Sequence, residues 1–257
     1  MDIVVCVKQV ADPEALVEVR EGGLDVEEKR ITSFFDEVAV EQALQLRDRF
    51  GGQVTAITAG SGKAIDAVRR AIAMGANRAL MVDDPALSAA DGIGVARALA
   101  AALKDEPCDL LICGRASLDD EAGVVGPALA EFLGLPHLSE VVGLEADEDG
   151  AWFTAQRVVE GGRALERCPL PLLVTAGKGL AEPRVPPVTG VMKAMRAPVE
   201  KKGLADLGLA SDDVAAGWAV QDFAPPPQRP AVTMVAGEFP DNVASLVATL
   251  KDRGVLR

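Results

Sequence analysis

The sequence predicts an α/β fold in which an open, mostly parallel sheet lies between two layers of helices. Short apolar runs of strand length alternate with longer amphipathic segments, and the connections between them are short. Several strands read as continuous apolar runs, which is typical of strands buried on both faces. The chain has 257 residues, 49% of them hydrophobic, and this suffices for one large core.

The amino-terminal elements follow from apolar periodicity and turn residues. A buried strand is predicted at residues 2–7, and an extended ribbon at residues 17–26 with a turn at Gly22-Gly23. Ser33 is predicted to cap the next helix, with Asp36 at the capping-box position. The apolar face of this helix comprises Phe35, Ala39, Ala43, Leu46 and Phe50.

The next part of the chain repeats a strand–helix unit. Strands are predicted at residues 54–58, 78–82 and 109–113, and helices at residues 61–74 and 89–103. A further helix follows Gly123 and Gly126, with an apolar stripe at Val125, Leu129, Phe132 and Leu133. This alternation predicts parallel strands joined by crossover helices.

After Leu138 the rhythm changes to extended segments joined by polar turns. These segments are predicted at residues 140–145, 152–159, 163–168 and 172–175. They are expected to add a mixed or antiparallel edge to the same sheet, so that one α/β domain spans residues 1–197.

The remaining residues, 198–257, are predicted to form an arm that wraps a partner subunit. Residues 182–187 are rich in proline and should run extended ahead of a short helix at residues 190–195. The last helix, at residues 242–253, has Val243, Leu246, Val247 and Leu250 on one face. A disordered tail is the alternative interpretation of this segment.

Composition excludes several classes of function. The net charge of −13 argues against binding to nucleic acid or to a membrane surface. No apolar run approaches the roughly 18 residues of a membrane span, and the first residues lack the basic stretch of a secretion signal. A cytoplasmic location is expected.

The reactive residue types do not form a catalytic or metal-binding pattern. The four cysteines lack paired ligand spacing, and Cys6 and Cys113 are interpreted as small buried apolar residues. The single histidine, His137, is interpreted as a loop residue, and no Gly-x-Ser-x-Gly motif is present. No catalytic residue and no metal site are predicted.

The segment from Cys113 to Gly126 is the most informative part of the chain. A buried strand runs into Gly114, crosses an acidic loop and enters a helix through Gly123 and Gly126. At such a point free N–H groups and the helix dipole can bind an anion, and glycine permits close approach. The acidic side chains are expected to face away, toward solvent or a ribose hydroxyl. An ordinary acidic first turn of a helix is the alternative.

The standard nucleotide motifs are absent. Gly60-Ser-Gly-Lys-Ala64 lacks the first glycine and the final hydroxyl residue of a phosphate loop. Lys8 to Asp12 stands where a Gly-x-Gly-x-x-Gly motif would follow the first strand. A nucleotide would therefore lie between several strand ends.

An ordered set of motifs resembles the β subunit of electron transfer flavoprotein over about residues 2–200. The motifs include Val7-Lys-Gln-Val-Ala-Asp12, Ser33-Phe-Phe-Asp-Glu37, Arg70-Ala-Ile-Ala-Met-Gly-Ala76, residues 114–126, Glu160-Gly-Gly162, Pro171-Leu-Leu-Val-Thr175 and Glu182-Pro-Arg184 through Ala194. The resemblance implies a Rossmann-like, three-layer domain of the adenine-nucleotide α-hydrolase type. It also implies an electron-carrier subunit rather than an enzyme.

The resemblance further implies cofactors and partners. A buried AMP and an FAD shared with a separate α subunit would be the cofactors. A flavin dehydrogenase would donate electrons, and a quinone oxidoreductase would accept them. The AMP site would involve Cys6, Ser33, Phe35, Asp36, Ala59, Gly114, Asp119, Gly123, Val124, Val125 and Gly126, with Phe35 also near the flavin. Val188, Met192 and Lys193 would dock the dehydrogenase.

Some positions depart from the family pattern. Gly123 and Val124 stand where the family has asparagine and glutamine, which removes two side-chain hydrogen bonds to the phosphate. A bifurcating subunit that binds a second FAD and NADH is one alternative, but a glycine is common there at the position of Asp120. A stand-alone nucleotide-binding module is the other alternative, and it leaves the arm unexplained.

Overall fold

The computed structural model describes residues 1–20 and 23–256. The strands are β1 (Asp2–Cys6), β2 (Gln9–Ala11), β3 (Val17–Arg20), β4 (Gly23–Val26), β5 (Arg30–Thr32), β6 (Gln53–Gly60), β7 (Arg78–Asp83), β8 (Leu110–Gly114), β9 (His137–Ala146), β10 (Trp152–Val159), β11 (Gly162–Pro169), β12 (Leu172–Ala176) and β13 (Glu200–Lys202). The α-helices are α1 (Phe34–Phe50), α2 (Ile65–Met74), α3 (Gly92–Leu103), α4 (Val125–Leu133), α5 (Val188–Arg196) and α6 (Asp241–Asp252).

Nine strands form one sheet in the order β11-β10-β9-β12-β8-β1-β6-β7-β13. Seven neighbouring strands of this sheet run parallel, namely β9, β12, β8, β1, β6, β7 and β13. The β9–β10 and β10–β11 pairs are antiparallel. The predicted fold class is therefore confirmed, including the antiparallel edge after Leu138.

Two apolar layers cover the two faces of the sheet. Successive side chains of a strand point to opposite faces, so that Ile3 and Val5 enter one layer while Val4 and Cys6 enter the other. Helices α1, α2 and α5 pack in the first layer, and α3 and α4 in the second. Most of the alanines of α3 are buried, which brings this helix close to the sheet.

The chain reverses its direction of winding at β1. From β1 it passes through α1 to β6 and β7 on one side, and it then returns through α3 to β8 on the other side of β1. The helices that follow β1 and β8 consequently lie on opposite faces of the sheet. In open α/β sheets such a divergence places a crevice at the carboxyl ends of the two strands, and ligands bind there.

Several element boundaries differ from the predictions for local reasons. Helix α3 begins at Gly92 rather than near residue 89, because the Asp91 carboxylate accepts hydrogen bonds from the Ile93 and Gly94 N–H groups. His137 opens strand β9 and is not a loop residue. Phe132, predicted on the apolar stripe of α4, is exposed and lies beneath the Arg97 guanidinium group. The ribbon of β3 and β4 is antiparallel, but the Gly22 half of its predicted turn is outside the described residues.

The carboxyl-terminal segment consists of two parts. Its first part packs on the domain, because β13 pairs with the edge strand β7 and the side chains of Leu204 and Val214 are buried. Strand β13 was not predicted, since its three residues are Glu-Lys-Lys and have no apolar pattern. From residue 217 to residue 256 the chain is almost entirely exposed, and within that range no side chain of α6 is buried. The wrapping of a partner by this arm stays a prediction.

Within the described residues, no helix is both long and apolar enough to cross a lipid bilayer. The same residues contain no group of three histidine, cysteine or acidic side chains that could hold a metal ion.

Candidate functional site

The residues predicted to bind a nucleotide lie along the carboxyl edge of the central strands. Cys6 and Gly114 end β1 and β8 at the crevice, and Ala59 lies near the end of the adjacent β6. Ser33, Phe35 and Asp36 lie at the start of α1, which follows β1 through β2 and β5. Asp119 lies in the loop after β8, and the remaining predicted residues, Gly123, Val124, Val125 and Gly126, lead into α4.

Asp36 joins the two sides of the crevice. The Lys8 N–H donates to Asp36 Oδ2 at 2.8 Å, and a Cβ atom on Gly114 would lie only 2.2 Å from Asp36 Oδ1. Burial raises the pKa of Asp36 from 3.8 to about 7, although the N–H groups of Lys8 and Gly114 favour the ionised form. Asp36 therefore links the segment after β1 to the end of β8, and it does not form the predicted capping box with Ser33.

Ser33 has an unusual environment. It precedes α1, but its side chain makes no capping hydrogen bond, and its N–H donates to the Lys8 carbonyl at 3.0 Å. Its Oγ is fully buried and has no hydrogen-bond partner within the described part of the chain. A buried hydroxyl without a partner is costly, and Ser33 is one of three described residues with such an unpartnered buried atom.

The titration of Asp36 leads to a prediction about stability. A carboxyl group with a raised pKa in the folded chain stabilises the fold fully below its unfolded pKa, and it loses that contribution as the pH rises through the folded pKa. Lys8, Asp119 and Cys6 carry the other titratable groups that interact with it. The difference in free energy of unfolding between the wild-type chain and Asp36→Asn should therefore decrease as the pH rises from about 4 to about 7. Urea denaturation at several pH values would measure it, and a constant difference would contradict the assignment.

The loop after β8 is anchored by Lys8, a residue that the sequence analysis did not assign to the site. The Lys8 Nζ atom lies 3.1 Å from Ser117 Oγ, 2.9 Å from Asp119 Oδ1 and 3.5 Å from Asp120 Oδ2. Asp119 and Asp120 therefore turn toward this ammonium group, whereas solvent or a ribose hydroxyl was expected. A lysine placed directly after the first strand, where phosphate-binding loops occur, was the available signal.

Asp120 also organises the loop internally. Its Oδ1 accepts hydrogen bonds from Ser117 Oγ at 2.7 Å and from the Ala122 N–H at 3.1 Å. Burial alone would raise the pKa of Asp120, but these hydrogen bonds and the Lys8 charge hold it below its ordinary value. The Asp120 side chain is therefore ionised and fixed in position.

A second cation, Arg115, covers the ring of Phe35. Its guanidinium carbon lies 4.5 Å from the centroid of the ring, and its terminal nitrogens lie 3.6 Å from Glu121 and 3.5 Å from Glu140. These two glutamates are the non-glycine residues with positive φ in the described part of the chain. Arg115 therefore contacts the Phe35 ring and both of these carboxylates. The sequence analysis did not include Arg115 or either glutamate in the site.

The start of α4 presents main chain rather than polar side chains. Gly123 has a φ of +63°, and no side chain caps the first turn of this described helix. A Cβ atom on Gly126 would lie 2.6 Å from Thr175 Cγ2, so this glycine permits close packing of the helix on the sheet. Val124 and Val125 supply only apolar side chains. Any anion at this point would be bound by N–H groups and the helix dipole.

The Cys6 thiol beside the crevice is unsuited to nucleophilic chemistry. A hydrogen bond with Cys113 and burial raise the pKa of Cys6 well above its ordinary value. Both cysteines are buried, as predicted for small apolar residues. The arrangement of charges and N–H groups around them suits ligand binding.

Helix α5 forms a separate exposed apolar surface. Its small residues Gly190 and Ala194 face the protein, and a Cβ atom on Gly190 would lie 2.4 Å from the Ala73 carbonyl oxygen of α2. Its opposite face carries exposed apolar side chains at helical spacing, namely Val188, Val191, Met192 and Met195. Val188 and Met192, which were predicted to dock a partner, both belong to this exposed face. Lys193 is exposed beside it.

The segment that leads into α5 is anchored by an ion pair. Arg184 donates two hydrogen bonds to the Glu41 carboxylate, from Nε at 2.6 Å and from Nη2 at 3.0 Å. Glu41 is buried in α1. Burial alone would raise the pKa of Glu41, but the hydrogen bonds from Arg184 and Gln45 hold it below its ordinary value. The exposed face of α5 is therefore held rigidly on the domain.

The doubly wound, mostly parallel sheet with helices on both faces defines a protein of the nucleotide-binding-like α/β class. Residues 24–207 match the family model described as the electron transfer flavoprotein domain. The chain belongs to the electron transfer flavoprotein family.

Three relatives, each called electron transfer flavoprotein subunit beta, show how far the similarity extends. The protein of Bacillus subtilis (strain 168) is 34% identical over 253 residues, which cover 98% of each chain. The protein of Syntrophomonas wolfei is 37% identical over 201 residues, which cover 77% of this chain and 78% of that one. The protein of Methylophilus methylotrophus is 28% identical over 260 residues, again 98% of each chain.

Proposed function

We propose that this chain is the β subunit of a heterodimeric electron transfer flavoprotein. The observation that carries the proposal is the similarity to a β subunit along 98% of both chains, which includes the arm. The partner would be an α subunit, and the two chains together would hold an FAD, which supplies the electron-carrying chemistry. The exposed arm beyond residue 216 would pack on that α subunit.

The crevice would hold AMP as a structural ligand. The residues present fit an adenylate that is bound mainly by main chain, since the α4 start offers N–H groups and Val124 and Val125 carry only apolar side chains there. The unpaired Ser33 hydroxyl supports a ligand at this place. Asp36, Gly114 and Asp119 would line the crevice, and Cys6, Ala59 and Val124 would contribute apolar contacts or main-chain groups.

A second FAD in place of AMP is less compatible with the loop. The Asp120 side chain is fixed by Ser117, the Ala122 N–H and Lys8, so it would not move aside readily for an additional ring system. We therefore favour AMP over the bifurcating alternative. The exposed arm likewise disfavours a stand-alone nucleotide-binding module.

The chain would shape one side of the flavin site through Phe35 and Arg115. Phe35 would face the flavin, and the Arg115 guanidinium group, which lies over the Phe35 ring, would hold that ring in position. The proposed contribution of this chain is to orient the partner and to exclude water, with no proton transfer by its own side chains.

The exposed face of α5 would dock the flavin dehydrogenase that donates electrons. Val188 is 77% exposed and Met192 is 54% exposed, and both extend from a helix that α2 holds in place. Lys193 would add a charged contact at the edge of this surface. Electrons would then pass from the FAD to a quinone oxidoreductase.

Val188→Asp should lower kcat/KM for reduction of the heterodimer by its dehydrogenase at least about tenfold. The substitution removes the apolar area that Val188 would bury against the dehydrogenase, and it places a charge in an interface from which water must be excluded. Because Val188 is exposed, bound nucleotide and thermal stability should not change. Stopped-flow reduction of the FAD would measure the rate.

Two matched variants make this test specific. Thr189→Asp introduces the same charge one residue along the helix and should have a much smaller effect, whereas Val188→Leu should keep or raise the rate because it buries more area. An unchanged rate for Val188→Asp would remove the docking assignment.

A further inference from the structure

The side chain of Lys8 crosses from the end of β1 to the loop that follows β8. An ammonium group has three donors, and the three groups within reach of Lys8 Nζ are Ser117 Oγ, Asp119 Oδ1 and Asp120 Oδ2. The Lys8 N–H meanwhile donates to Asp36, so both ends of this residue hold the crevice together. Each donor of the Lys8 ammonium group thus has an acceptor within the protein itself.

The loop poses an electrostatic problem for an anionic ligand. Residues 119–121 are Asp-Asp-Glu, and three residues separate them from the start of α4, where a phosphate group would bind. Three carboxylates beside a phosphate would repel it, and this repulsion is only partly screened near a protein surface. Arg115 pairs with both Glu121 and Glu140, and Lys8 pairs with both Asp119 and Asp120, so that each cation offsets one of two negative charges.

We propose that Lys8 is a positioning residue for the nucleotide, which orients Asp119 and Asp120 and offsets one of their two negative charges beside the phosphate instead of binding the phosphate itself. The inference rests on the proposed adenylate in the crevice. It explains how a chain with an acidic loop and a net charge of −13 can retain a negatively charged ligand without a phosphate-binding side chain at positions 123 and 124.

Charge rescue in the purified heterodimer tests the proposal. Lys8→Met should weaken AMP retention roughly tenfold, because two carboxylates then face the phosphate without a counter-charge. Lys8→Met combined with Asp120→Asn should restore retention to within about twofold of the wild type, since the pair removes one charge of each sign. Asp120 is chosen for the rescue because Asp119 is itself among the proposed nucleotide contacts.

The measurement is the AMP that remains per heterodimer after dialysis against a series of AMP concentrations, at low and at high salt. We expect the defect of Lys8→Met to shrink as salt rises, a response that a merely structural defect would not show. Thermal unfolding of each variant controls for folding, and Lys8→Arg should retain AMP.

Two results would overturn the proposal. If the double variant binds AMP as weakly as Lys8→Met, Lys8 does not act by balancing the charge of the loop; if Lys8→Met binds as tightly as the wild type, Lys8 has no role in binding. A wild-type heterodimer that neither contains nor binds AMP is a distinct outcome, because it would reject the proposed AMP site itself and the role of Lys8 with it.

Discussion

Gly114→Ala is expected to lower the free energy of unfolding by about 2–3 kcal/mol and to empty the crevice of its nucleotide. The added Cβ atom would lie 2.2 Å from Asp36 Oδ1, 3.0 Å from Phe35 Cβ and 3.1 Å from the Phe35 carbonyl carbon. Because the last of these is main chain, the start of α1 and the end of β8 would have to separate. Urea denaturation and the nucleotide content of the purified protein would measure the two effects.

Gly162→Ala is the matched control for this substitution. Gly162 opens the edge strand β11 and has no left-handed φ, and a Cβ atom added to it would have no neighbour within 4 Å among the described residues. Its replacement should change the free energy of unfolding by less than about 0.5 kcal/mol. Equal stability of the two variants would show that the close approach of Gly114 to Asp36 is not needed.

Ending the chain at Ala219 is expected to abolish assembly with the α subunit while the α/β domain stays folded. The deletion spares Leu204 and Val214, which are buried in the domain, and the Gly217 N–H that donates to Asp91. It removes an arm whose apolar side chains are exposed, among them Val232, Met234, Phe239, Val243 and Leu246. So much exposed apolar surface is typical of a segment that packs on another chain.

Co-purification of the shortened chain with a tagged α subunit would measure assembly, and circular dichroism would confirm the fold. Leu246→Asp in the full-length chain is a matched point variant, because it places a charge on the apolar face of α6 without shortening the arm. We expect it to weaken assembly. Full assembly of the shortened chain would refute the role of the arm.

Most of the fold could be predicted because each strand and helix carries its own apolar period. Strands β1, β6, β7 and β8 are nearly continuous apolar runs. The boundaries predicted for them agree with those in the structure to within a few residues. Strand β13 could not be predicted, because its polar residues become a strand only through pairing with β7. The reversed winding at β1 was also not derivable from local pattern.

The site was predicted in its location but not in its contacts. Gly114, Asp36 and Asp119 lie where strand ends were expected to meet, since that depends only on the order of strands and helices. Lys8 donates a hydrogen bond to each of these carboxylates. Its N–H donates to Asp36, 28 residues away in sequence, and its Nζ donates to Asp119, 111 residues away. Such long-range pairs leave no periodic signal in the chain, and the same holds for Arg115 over Phe35.

The nucleotide content of the purified heterodimer is the most direct test of the proposal that this chain binds AMP and shares an FAD with an α subunit. The complex would be denatured, and the released small molecules would be identified and counted by mass spectrometry. We expect one AMP and one FAD per heterodimer. Two FAD molecules, or no adenine nucleotide besides one FAD, would contradict it.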